Sequence, residues 1–184
     1  MSTILTSALT IILVWLSLFF AISQQVTTTA TTTAQTAELD FVPYSNPTFG
    51  IRTEYPADWG RLDLSFLLNN SADIDFYPLD DTSGSKHIRI QVETISSAQN
   101  MTFEQYSNAR INSTEGQILG SNSTALAGLP AREIVFTNMD LKTMQVWTVK
   151  DDRVYAISYI APEEDFQDDF QVAKRMAESF RIIE

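Results

Sequence analysis

The chain has 184 residues, with 23 acidic against 12 basic side chains, a formal net charge of −11 and no cysteine. Disulfides, thiolate metal sites and cysteine nucleophiles are therefore excluded, and the acidity argues against nucleic-acid binding or adhesion to anionic lipid. Such a surface suits solubility or a cationic partner.

The first element in chain order is apolar. Ile4 to Ile22 contains no charged side chain, and none precedes Glu38. In helical form this run rises about 28 Å, close to the hydrocarbon thickness of a bilayer. Ala21-Ile22-Ser23 puts small residues where a signal peptidase needs them for a cut before Gln24. No Lys or Arg precedes the run, which leaves a retained anchor, or a buried structural helix, as alternatives. Residues 1–23 are thus expected to be a signal peptide or membrane anchor, and the only contact with a membrane.

Residues 24–40 follow as a Thr-rich linker, with Thr27, Thr28, Thr29, Thr31, Thr32, Thr33 and Thr36 among Ala and Gln. This composition cannot bury a core, so a disordered spacer is expected. Glycosylation sequons at Asn69, Asn100, Asn112 and Asn122 agree with an exported chain. The anticipated location is extracytoplasmic, either secreted or anchored through the N-terminal helix.

Residues 41–184 are the domain, roughly 145 residues and enough for one core. Ile51, Thr53 and Tyr55 alternate with Arg52 and Glu54 in the period of a half-buried strand. Short strands are expected near Leu62–Leu68 and Ile74–Tyr77, with a loop over Asp80–Ser85. In 87–95, Ile88, Ile90 and Val92 face one way while His87, Arg89, Gln91 and Glu93 face the other. Thr102 and Gln105 have the spacing of a capping box, and Phe103, Tyr106 and Arg110 follow at helical intervals. Glu133–Thr137, Thr143–Val149 and Val154–Ile160 read as strands, the last two joined at Asp151-Asp152 in a hairpin. A closing helix is expected from Pro162 to Phe180, with Phe166, Phe170, Ala173, Ala177 and Phe180 as its apolar stripe. Together these elements predict an α+β domain, an antiparallel sheet packed between helices.

Three stretches carry a family resemblance. They are Tyr44 to Tyr55-Pro56-Ala57-Asp58-Trp59, then Ala127-Gly128-Leu129-Pro130-Ala131, then Val154 to Ala161 with the helix ending Ser179-Phe180. In this order the chain resembles PsbP-like domains, which are related to the extrinsic photosystem II subunit and share a fold with the Ran-binding Mog protein. The Thr-rich stalk and plain apolar leader look like those of an exported archaeal or bacterial relative. The resemblance implies an accessory domain without catalytic machinery or cofactor, bound to another protein or surface assembly.

Candidate chemistry is sparse. His87 is the single histidine and no Gly-x-Ser-x-Gly elbow exists, so His87 reads as an exposed strand residue and not as a triad member. A hard-cation site, calcium above all, is the alternative function, with Asp73, Asp75, Asp80 and Asp81 as oxygen donors. Met139 and Met144 with His87 form a weaker soft-metal candidate, Met144 reading as core. A binding module further predicts an exposed apolar patch around Tyr44, Trp59 or Trp147.

Overall fold

Alternating burial sorts the chain into strands in the computed structural model, which describes residues 39–68, 71–95 and 101–183. They belong to one compact unit, Glu38–Glu184. The expected leader, 1–23, and nearly all of the linker, 24–40, lie outside the described residues. The strands are β1 (Phe41–Asn46), β2 (Ile51–Pro56), β3 (Trp59–Asp63), β4 (Ala72–Pro78) and β5 (His87–Thr94). Helix α1 (Phe103–Asn112) follows, then β6 (Gln117–Leu126), β7 (Leu129–Asn138), β8 (Leu141–Lys150) and β9 (Arg153–Pro162). Helix α2 (Phe170–Ser179) and the short β10 (Arg181–Ile182) close the chain.

Seven strands form an antiparallel sheet in the order β3-β4-β5-β9-β8-β7-β6, and β1-β2-β10 form a smaller antiparallel sheet. Because side chains alternate along a strand, the large sheet makes two cores. On one face Ile74, Phe76, Ile88, Ile90, Val146, Ile157 and Tyr159 pack with Val172, Ala173 and Met176 of α2 and with Ile51 of the small sheet. On the other, Ile134, Trp147, Val154 and Ala156 receive Phe103, Tyr106 and Ile111 of α1. One helix per face matches the expected layering; the small sheet beside α2 was not anticipated. β9, at the centre, is buried on both sides from Val154 to Tyr159, which is why its sequence is a continuous apolar run.

A turn explains one of the stretches that carried the resemblance. Leu126 pairs with Leu129, so Ala127-Gly128 is a two-residue hairpin loop, and both residues have positive φ (52° and 77°). That geometry favours glycine, and Gly128 supplies it. At the other end Gly60 lies under Tyr77, where an added Cβ would sit 2.5 Å from the ring. The Asp151-Asp152 hairpin is present between Lys150 and Arg153, with Asp151 at φ 56° in place of a glycine.

Three expectations are corrected. The strand placed at Leu62–Leu68 is β3, Trp59–Asp63, followed by a 3₁₀ turn at Ser65–Leu67. The helix placed at Pro162–Phe180 begins only at Phe170. Pro162 ends β9 paired to Leu141, and the following acidic residues form successive turns, Asp165 N–H to Pro162 O and Asp168 N–H to Asp165 O. Acidic residues after a proline imitate a helix start, but here they serve the exit from a strand. Lastly, Tyr44, Trp59 and Trp147 are buried at 6%, 8% and 0% exposure, so none forms a surface patch.

Helix α2 is tied to the small sheet by polar contacts as well as apolar ones. The buried Thr53 hydroxyl donates to Met176 O at 2.9 Å and lies 3.0 Å from Ser179 Oγ, which also accepts from Glu54 N–H. Thr53→Val keeps the shape and removes the hydroxyl that meets both Met176 O and Ser179 Oγ. It should cost about 1 kcal/mol, read as a lower midpoint in urea with an unchanged slope.

Candidate functional site

The four aspartates proposed for a cation do not share one task. Asp73 and Asp75 project from β4 toward Arg89 of β5, which donates to Asp75 through Nε at 2.7 Å and Nη2 at 2.9 Å. Asp73 Oδ1 lies 3.2 Å from the same Nε but is no hydrogen-bond acceptor there; it is an ionic neighbour only. The two-pronged bond to Asp75 raises the Arg89 pKa and keeps the guanidinium charged. Asp81 instead closes its own loop, accepting from Ser83 N–H, the Ser83 hydroxyl and Lys86 N–H, and these bonds hold its carboxyl below the usual range. Asp80 is exposed. Among the described residues, no group of three or more His, Asp or Glu converges as a metal ion requires. Met144 is core at 1% exposure while Met139 stands out in solvent at 94%, so the sulfur candidates do not meet either.

His87 is not the exposed strand residue the sequence implied. It is half-buried, with Nε2 shut from solvent and without a partner among the described residues. Burial lowers its pKa from 6.5, against the opposing pull of Asp75. The neutral form therefore belongs to the fold, and the unfolded chain binds the proton more readily. His87 stabilises above pH 6.5, and that contribution fades as pH falls from 6.5 through its lower folded value. Thermal melts should drop over this interval, and His87→Gln should flatten the decline.

Of the glycosylation candidates, Asn112 at the end of α1 and Asn122 on β6 have exposed side chains. Asn69 and Asn100 lie outside the described residues. β6 is an edge strand, exposed along most of its length and bulged between Ile118 and Gly120; such bulges blunt an edge against further strand pairing.

One concave feature is a cleft of about 580 Å³ beside α1, which spacing along the chain did not reveal. Thr102 caps the helix as expected, its hydroxyl accepting from Gln105 N–H while the Gln105 side chain accepts from Thr102 N–H. Helical spacing then sets Tyr106 and Arg110 one turn apart on the sheet-facing side. Arg110 donates through Nη1 to the Tyr106 hydroxyl at 2.6 Å and through Nε to Gln145 Oε1 on β8 at 3.0 Å. Gln145 is held in turn, donating to Ser158 Oγ on β9 at 2.8 Å. The guanidinium lies 5.5 Å from the Trp147 ring centroid and 5.9 Å from that of Tyr106. Met101, Ala109 and Phe136 give the cleft apolar walls, and Ser113, Thr114, Glu115 and Asn138 complete it. Tyr106 and Arg110 were legible as helix positions; Gln145 is 35 residues away from Arg110, and only the fold joins them.

The fold and site define a small antiparallel α+β domain with a cleft beside α1 and, among the described residues, no assembled metal centre. The chain belongs to the PsbP-like protein family, whose model matches residues 4–181. Its fold is similar to that of cyanobacterial PsbP from Synechocystis sp. PCC 6803, at 12% identity and a TM-score of 0.57, covering 80% of this chain and 95% of that one. LpqN of Mycobacterium tuberculosis, described as involved in cell envelope biogenesis, is similar at 16% identity and a TM-score of 0.51, covering 80% and 92%. A Bacteroides thetaiotaomicron protein matches at 11% and 0.53, covering 77% of this chain and 48% of that one. No curated protein sequence matches this one. Among the described residues no helix is long and apolar enough to cross a membrane.

Proposed function

We propose that this chain is an exported, non-catalytic accessory or binding domain working at the outer face of a membrane or at the cell surface. The observation that carries the reading is membership of the PsbP-like family over residues 4–181, which takes in the apolar leader as well as the domain. The likeness to LpqN, described as involved in cell envelope biogenesis, supports the same address. Physical features agree. The sole histidine is a half-buried neutral side chain, and the carboxylates of β4 are taken up by Arg89. The leader, as signal or anchor, delivers a domain whose net charge of −11 keeps it soluble and favours a cationic protein partner. Exposed sequons at Asn112 and Asn122 are open to modification outside the cell.

Cross-linking in intact cells, followed by purification of the full chain and mass spectrometry, tests the reading. The expected result is one defined partner protein cross-linked to the domain, with the N-terminus at Gln24 if the leader is cut or at Met1 in the membrane fraction if it is kept. Recovery of the chain only as an uncross-linked cytoplasmic protein would overturn it.

A further inference from the structure

We propose that the cleft beside α1 binds a monocarboxylate with an apolar body, gripped by Arg110. This rests on the reading of the domain as a binding module and names what one of its sites takes. Gln145 is used at both ends, accepting from Arg110 and donating to Ser158. The Ser113 and Thr114 hydroxyls spend their protons on Arg110 O, at 3.0 and 2.9 Å. Arg110 uses Nε and one Nη1 proton, so three of its five donors are unspent among the described residues. Tyr106 accepts from Arg110, and its own proton has no acceptor among the described residues. Arg110 and Tyr106 therefore leave unspent donors and a positive charge at the cleft.

Among the described residues Lys86, Arg89 and Arg132 have a carboxylate partner and the other nine cations, Arg110 included, have none. What distinguishes Arg110 is that hydrogen bonds to Tyr106 and Gln145 and the rings of Tyr106 and Trp147 fix its place. A planar fork held in position, with its charge uncompensated, matches the two oxygens of a carboxylate. Met101, Ala109 and Phe136 supply the wall for an apolar body. Glu115, on the same lining, and the net charge of −11 disfavour a second negative charge on the ligand. That selects a monocarboxylate over phosphate.

The test uses the full chain in nanodiscs, labelled with 5-fluorotryptophan, and follows the fluorine signal of Trp147 beneath Arg110. Signals of Trp15 and Trp59 serve as internal references. Titration with 3-phenylpropionate at millimolar concentrations should shift the Trp147 signal to saturation. The isosteric amide, 3-phenylpropionamide, and inorganic phosphate should bind at least about tenfold more weakly, the loss of one charge-assisted bond pair. Arg110→Met should lose the same factor, and Glu115→Gln should bind at least as tightly as the unaltered chain. The acid–amide comparison needs no variant, so it decides the matter even if Arg110→Met fails to fold. Equal binding of acid and amide, equal binding of phosphate, unchanged binding by Arg110→Met, or no shift at all would overturn the proposal. Such a failure leaves the accessory-domain reading standing, because that reading is tested by location and partner.

Discussion

Trp147→Ala should destabilise the domain by about 3–5 kcal/mol, the range for emptying a large aromatic from a core. Trp147 has 0% exposure, and its indole N–H donates to the buried Ser107 hydroxyl at 3.1 Å. It is the largest member of the smaller core, where Ile134, Val154 and Ala156 meet Phe103, Tyr106 and Ile111. Helix α1 buries Ser107 and little else completely, so its hold on the sheet depends on this ring. Removing it leaves a cavity and an unpaired buried hydroxyl together. The melting temperature should fall by about 6–20 °C, since each kcal/mol is worth roughly 2–4 °C in a domain near this size. Hydrogen exchange gives the sharper readout. Amides of 103–112 should lose protection while β4 and β5 keep theirs, because the buried hydrophobic residues of those strands belong to the other core. Loss of protection spread evenly over both cores would contradict the division of the sheet into two faces.

Phe180→Ala should have an effect of the same size, about 3–5 kcal/mol, through the opposite face. Phe180 has 0% exposure and lies directly between α2 and β10. Its ring sits 6.4 Å from that of Tyr155 at a tilt of 58°, and β10 then pairs with β2 at Arg181↔Arg52. The one side chain thus closes the helix onto the large sheet and directs the chain into the small one. Denaturant unfolding should show a lower midpoint, and Phe180→Leu should lose less because most of the volume stays. In the alanine variant α2 should exchange faster, with α1 still protected. An unchanged midpoint would mean that the end of α2 does not close this core.

The sequence was most readable where one face of a strand is buried and the other is not. In β5, Ile88, Ile90 and Val92 are at 0–1% exposure and their neighbours are not, and the alternation shows this directly. β9 was readable for the opposite reason, as a run buried on both sides. β6 escaped detection because it is an edge strand with both faces largely in solvent; Gly120, Ser121, Asn122 and Ser123 carry no pattern to find. β1 was hidden by Pro43 and by having a single fully buried residue, Tyr44, although Tyr44 carried part of the resemblance. The capping box was visible since both partners lie three residues apart, and the start of α2 was not, because strand exit and helix entry share acidic residues near a proline. The cleft divides the same way. Tyr106 and Arg110 are local, while Gln145 and Trp147 reach them only after β8 takes its place in the sheet. His87 was misjudged since alternation assigns a face but not what covers it.

Protease treatment of intact cells, with the chain detected through a tag after Glu184, tests most directly whether the domain stands outside the membrane. The account predicts that the domain is digested while a cytoplasmic marker survives. A domain that stays protected until the membrane is broken would contradict it.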